Sequence, residues 1–126
     1  MNVRPDLHNI LHGVMGAVGA DVAYVKLADA NGLFRIGHDI GLRCTDFRNH
    51  AMAPGQGLGG YALHAGVTVC HDYFSDGRFR HCFDQLVAAE GLHSLVVAPL
   101  PFRDRVLGLL YAGWRNPVSL RKVDAW

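Results

Sequence analysis

The chain has 126 residues, half of them apolar and 18% charged, with a net charge of +1. That length suits one domain over 1–126, and that composition suits a packed core, which excludes a disordered or low-complexity chain. The basic residues are spread along the sequence without a Lys/Arg stripe, so this segment does not itself build a nucleic-acid surface.

The first stretch, "MNVRPDLHNILHGVMGAVGA", scatters charges among its apolar residues and reads as neither a signal peptide nor a membrane span. Leu7, Ile10, Leu11, Val14 and Val18 recur at helical spacing, which predicts a helix over about 5–18 within an N-terminal helical region, 1–19. Pro5 suits its first turn and Gly19 its exit. His8 and His12 stand at i, i+4, a spacing that can hold a metal. The same spacing is that of any polar helix face. Ile10, Leu11 and Val14 turn both histidines toward solvent or a partner, and no metal site is expected.

Val22 to Leu27 reads as a strand, "DANG" (Asp29 to Gly32) as a hairpin turn, and Leu33 to Ile40 as the returning strand. Alternation puts Phe34, Ile36, His38 and Ile40 on one face, the expected core face. From Gly41 to Ala53 the pattern is weak. "APGQGLGG" is rich in turn formers, and "LGGYALHAG" predicts a short helix ending at Gly66. The glycine run lacks the Lys-Ser/Thr of a phosphate loop and the strand–helix setting of a dinucleotide fingerprint, so its glycines are read as shaping a tight turn.

Val67 to His71 is a short strand. Phe79, Phe83, Leu86, Val87 and Glu90 predict a helix ended by Gly91, followed by strands over His93 to Phe102 and Arg105 to Trp114 joined at Arg103-Asp104. The last strand is almost continuously apolar and is expected at the sheet centre. Leu120, Val123 and Trp126 suggest that a further helix starts near Ser119, so 119–126 is read as the start of a linker helix in a longer protein. The order predicts an α+β fold, an antiparallel sheet with helices packed on it.

"VTVCHDYFSDGRFRHC" sets Cys70, His71 and Asp72 side by side, then His81 and Cys82. Neighbours on a strand point to opposite faces, so Cys70 and His71 cannot both enter one pocket. That argues against a cysteine–histidine nucleophile, which needs the two within hydrogen-bond reach. Asp72 is read as bonding backbone donors of the "DYFSDG" turn. His81 and Cys82 would lie about 100° apart on the predicted helix, without CxxC or HxxxH spacing. The three cysteines, an odd number at irregular spacing, read as reduced thiols and a cytoplasmic location.

The segments "GLGG", "HDYFSDGRF", "AEGLHSLVVAPL" and "RVLGLLYAG", in that order, resemble the body of a GAF domain. "GADVAYVKLADANGLFRI" matches the first hairpin of that fold. The run is closest in flavour to the sensory GAF domains of bacterial transcriptional regulators with a C-terminal helix-turn-helix. The resemblance implies a six-stranded antiparallel sheet, helices on one face and a ligand pocket on the other, walled by 41–66 and 72–90. The function it implies is non-catalytic: a ligand favours one arrangement of terminal helices over another in a homodimer. Leu7, Leu11, Val14, Leu120 and Val123 would lie at the dimer contact. DNA would be bound only through a domain outside this chain, and no membrane is involved.

The pocket residues expected are Phe34, Ile36, Phe47, Tyr61, His71, Tyr73, Phe79 and Ser94. Alternation alone leaves the face open: on the other face Cys70 replaces His71, and His93 or Leu95 replaces Ser94. No cofactor is required. Three alternatives stand beside this reading. A bilin- or haem-binding sensor would use Cys82, near the position that carries the bilin in related photoreceptors, or a histidine such as His71. Phe83 after Cys82 and Gly113 after the last strand depart from that pattern. A dimerisation module without ligand is the second. The third is an enzyme like the GAF-type reductases of free methionine sulfoxide, but those cysteines sit in other contexts. Glu90, the only glutamate, has no carboxylate partner evident in the sequence.

Overall fold

The computed structural model describes residues 4–117. The 119–126 segment, with Leu120 and Val123, lies outside the described residues. Helix α1 (Arg4–Val18) is followed by strands β1 (Val22–Ala28) and β2 (Phe34–Ile40), helix α2 (Thr45–Asn49), strand β3 (Ala51–Met52) and helix α3 (Gly57–Ala65). Strand β4 (Thr68–Cys70), a 3₁₀ turn (Tyr73–Ser75), helix α4 (Asp84–Glu90), and strands β5 (Ser94–Phe102) and β6 (Arg105–Trp114) complete the order. The six strands form one antiparallel sheet, β3-β2-β1-β6-β5-β4. The apolar β6 is central, as its composition predicts. Among the described residues no helix is long and apolar enough to cross a membrane.

The first hairpin turns as "DANG" predicts. The Asp29 carboxylate accepts from the Asn31 and Leu33 amides at 2.9 and 3.0 Å, and Gly32 takes φ +80°, a conformation costly for other residues. One alternation reading needs correction. Lys26 pairs with Ile36 and Val25 with His38, so Gly37 is an unpaired bulge residue. A bulge reverses the face of everything beyond it. Phe34 and Ile36 therefore stay on the core side, while His38 and Ile40 turn toward α1, where His38 Nε2 lies 3.0 Å from His8 Nδ1.

The sheet buries apolar side chains on both faces. On one face α1 sets Val14 and Val18 against Val96, Ala112 and Trp114. Gly19 ends α1 at φ +67°, and Trp114 Nε1 donates to its carbonyl at 3.0 Å. Leu11 is fully buried within the chain. That corrects its expected place at a dimer contact, while Val14 packs on the sheet and stays partly exposed. Among the described side chains of α1 the exposed large apolar one is Ile10. His8 and His12 are exposed, as their phase predicts. The larger core lies on the other face, where Tyr24, Leu109, Tyr111, Leu95, Val97 and Cys70 meet α2, α3, α4 and the turn around Tyr73.

The predicted helix from Phe79 begins only at Asp84. Side-chain bonds hold 76–83 in another shape. Asp76 Oδ1 accepts from the Arg78 amide, and its carboxylate pairs with Arg78 at 2.6 Å. Arg78 Nη2 donates to the Val69 carbonyl, and His81 bridges the Asp76 carbonyl and Asp84. Such local bonds offer the backbone an alternative to helix. They also correct two readings. Asp76, not Asp72, is the carboxylate that bonds the turn backbone, and His81 and Cys82 do not lie on a helix. Helix α4 ends as predicted at Gly91, in the left-handed conformation.

Candidate functional site

The face of the sheet opposite α1 holds a cavity of ≈ 30 Å³. Strand alternation delivers Tyr24 and Lys26 from β1, Leu95 from β5 and Tyr111 from β6 to its floor. Phe47, His50, Leu58 and Gly59 come from the 41–66 segment, and Tyr73, Phe83 and Val87 from 72–90. Tyr24 and Tyr111 are cross-strand partners whose rings stack at 4.4 Å, and Phe47 meets Tyr24 edge-on at 5.4 Å.

Of the expected pocket residues, Phe47 and Tyr73 line this cavity. Phe34, Ile36, Tyr61 and Phe79 belong to the surrounding apolar cluster. Tyr61 and Phe79 also line an open surface groove with Arg78 and Arg80. His71 and Ser94 need correction. Cys70 pairs with Leu95 on the cavity side, so His71 and Ser94 fall on the opposite side of their strands. His71 is exposed, and Ser94 is buried with its hydroxyl donating to the His71 carbonyl at 2.6 Å. The structure thus takes the alternative that alternation left open, with Cys70 and Leu95 facing inward.

Lys26 is the charged lining residue that sequence reasoning missed, and Tyr24, His50 and Tyr111 were missed with it. Lys26 is 4% exposed in the middle of an apolar strand. Its Nζ has Met52 Sδ as its hydrogen-bond partner, at 3.8 Å, and lies over the rings of Tyr111 and Phe83 at 4.9 and 5.6 Å. Among the described residues it makes no ion pair. Burial pulls its ammonium down to about 7. His50 sits nearby, its Nδ1–H donating to the Phe47 carbonyl. Burial first, and then the charge of Lys26, lower its imidazolium to about 4. The signal available in "VAYVKLA" was a lone lysine at the phase of Tyr24, where a solvent-facing residue is out of place.

Gly59 is where the glycine-rich turn meets the cavity. A Cβ there collides with Tyr111 Oη and comes within 2.7 Å of Met52 Sδ. Gly59→Ala is expected to lower stability by about 1–3 kcal/mol and to shrink the cavity. Urea unfolding checks the first effect, and an unchanged midpoint would mean that Tyr111 moves aside freely.

The thiols differ in environment. Cys70 is buried, and burial, with Asp76 beside it, pushes its thiol up to about 12. Burial and Glu90 raise Cys44, whose Sγ donates to the Ala89 carbonyl at 3.4 Å. Cys82 is exposed, beside a surface depression formed with residues 81 and 83–86, and does not line the cavity. A bilin or haem does not fit a space of ≈ 30 Å³. Among the described residues no three His, Cys, Asp or Glu side chains group as metal ligands.

A transcriptional activator of the helix-turn-helix type from Corynebacterium glutamicum, RamA, is 28% identical over 115 residues, covering 90% of this chain and 41% of its own length. The chain thus spans less than half of that relative. Solved structures share the fold at lower identity. The GAF domain of an Acinetobacter phosphoenolpyruvate-protein phosphotransferase superposes at a TM-score of 0.78, with 17% identity over 99% of this chain and 73% of that one. Staphylococcus aureus NreA, mutated in its nitrate-binding site, gives 0.77, with 18% identity over 95% and 92%. A type II free methionine-R-sulfoxide reductase from Thermoplasma acidophilum gives 0.74, with 14% identity over 98% and 82%, so the fold also carries an enzyme. The GAF domain family model matches residues 5–123, nearly the whole chain. With the six-stranded sheet and its walled cavity, that match makes the chain a member of the GAF domain family.

Proposed function

We propose that this chain is the small-molecule-sensing module of a cytoplasmic bacterial transcriptional regulator, binding its ligand without transforming it. The observation that carries this reading is the small, aromatic-walled cavity, whose roof comes from the two irregular segments rather than from the sheet. A ligand there touches Val87 of α4, and α4 is tied to the end of β6 through Glu90 and Arg115, 2.6 Å apart. Trp114 and Asp21 tie the same sheet end to the exit of α1. Ligand binding would therefore bias how α1 and the chain beyond β6 are held, and through them the arrangement of a homodimer. Ile10, exposed on α1, suits that dimer contact. DNA would be reached through another domain, as in the helix-turn-helix relative.

A binding role fits the thiols. A nucleophilic or redox-active cysteine needs a lowered pKa, whereas Cys70 and Cys44 are raised. Thermal melts against a metabolite panel, with sedimentation of the dimer, test the proposal. A compound that raises the midpoint in the wild type, loses that effect in Gly59→Ala, and shifts the dimer equilibrium is the expected result. Turnover of free methionine sulfoxide that disappears on replacing Cys82 would overturn it.

A further inference from the structure

Two buried donors in the cavity share one poor acceptor. Lys26 Nζ and Tyr111 Oη both point to Met52 Sδ, at 3.8 and 3.9 Å. A thioether sulfur is a weak acceptor, and an ammonium carries three donors. The usual compensation for a buried cation is a carboxylate. None lines this cavity, whose side chains are aromatic, aliphatic or imidazole besides Lys26 itself. The ring faces of Tyr111 and Phe83 offset part of the cost of the charge, but leave its donors unfilled. A site with a buried cation and no lining carboxylate is complementary to an acceptor-rich ligand of opposite charge.

We propose that Lys26 is the recognition residue for a small monoanion, a carboxylate or oxoanion of about three or four heavy atoms, bound in this cavity. The inference rests on the sensing role proposed above and names its ligand class. Nζ pairs with the anion, Tyr111 Oη turns from sulfur to donate to it, and the stacked Tyr24–Tyr111 floor covers its face. The Nδ1–H of His50 is engaged with the Phe47 carbonyl, so its Nε2 carries a lone pair and offers the anion no donor.

The size limit follows from the volume. A sugar phosphate does not enter without rebuilding the roof. The sign of the charge gives a pH signature. The groups facing Nζ are Tyr24, Tyr73 and Tyr111, all raised and neutral through the physiological range, and His50, neutral above about 4. Only Lys26 changes charge near neutrality. Binding that needs the ammonium therefore weakens by about tenfold per pH unit above about 7, until the pKa of the complex is reached.

The test uses sodium formate and sodium nitrate at constant ionic strength, titrated calorimetrically into this chain and its Lys26→Met variant from pH 6 to 9. Formamide serves as an uncharged probe of similar size. Saturable binding of either anion to the wild type, weakening above pH 7, and weaker by roughly thirtyfold or more in Lys26→Met, is the expected result. Circular dichroism melts establish that the variant is folded, because methionine fills the same space without the charge. Anion binding that is equal in Lys26→Met, or independent of pH, overturns the proposal. Saturation by formamide but by neither anion overturns the anion assignment and leaves the sensing role standing. Failure of all three probes, together with a metabolite panel that shifts no melt, overturns both.

Discussion

Replacing Glu90 by alanine is expected to destabilise the protein by about 3–5 kcal/mol, a large share of the 5–15 kcal/mol that holds a typical domain together. The carboxylate is fully buried at the end of α4. It accepts from the Arg43 amide at 2.8 Å and the Cys44 amide at 2.6 Å, and pairs with Arg115 Nη2 at 2.6 Å. Arg115 also donates to the Glu90 carbonyl through Nε and to the Gly41 carbonyl through Nη2. Burial alone would raise this carboxyl, but the amides of Cys44 and Arg43 and the guanidinium outweigh it and hold it below its ordinary value. The stabilisation is therefore present above the ordinary carboxylate pKa and is lost as pH falls through the lowered one. Alanine leaves two amides and a mostly buried guanidinium without their acceptor, which is where the cost arises. Glu90→Gln keeps one acceptor oxygen and should lose less. Urea unfolding measures both, and a loss under 1 kcal/mol for alanine would mean that water replaces the carboxylate.

Stability is expected to rise between about pH 7 and pH 9, by roughly 2 kcal/mol, the slope approaching about 1.36 kcal/mol per unit. The cause is Lys26. Its folded pKa is about 7 against an ordinary 10.5, so across that window the unfolded chain holds a proton that the folded chain has released. The unfolded state binding more protons means that stability grows with pH. Above pH 9 the sign reverses. Cys70, with its thiol near 12, and the raised phenols of Tyr24, Tyr73 and Tyr111 stay protonated in the fold while the unfolded chain ionises. On the acid side His50, lowered to about 4, costs stability as pH falls below its ordinary 6.5, because the unfolded imidazole takes up the proton first. Thermal melts of the wild type and Lys26→Met across pH 6–10 separate these contributions. The variant should melt above the wild type at pH 6 and show no rise from 7 to 9, since an unpaired buried charge has been exchanged for an apolar side chain. A wild type with a flat profile over that window would place the Lys26 ammonium in water.

Much of the architecture was readable in the chain. Local rules cover it: apolar spacing for α1, Asp29 and Gly32 for the hairpin, Gly91 for the end of α4, and unbroken apolarity for the central β6. The motif order also carried the family. Alternation failed where a single residue changed the count. The bulge at Gly37 is invisible to a period-two pattern and sends His38 and Ile40 to the α1 face. The helix over 79–83 failed because Asp76, Arg78 and His81 bond locally in a way that apolar spacing does not register.

The site was less legible. Sequence singled out Phe47 and Tyr73, and named the segments that form the roof, but ranked aromatic residues by chemistry alone. Whether β4 and β5 turn His71 and Ser94, or Cys70 and Leu95, toward the cavity is a matter of register, decided by the pairing of Cys70 with Leu95. Lys26 was overlooked, and the burial of Glu90 was not foreseen, because a charged residue in sequence defaults to the surface. The chain by itself determined which segments are strands and helices, because backbone propensity, turn chemistry and apolar spacing act within a few residues. Only the tertiary structure decided which face became the cavity, that one lysine would be buried there without a counter-ion, and that the lone glutamate would close α4 onto Arg115, because each depends on residues brought together from distant parts of the chain.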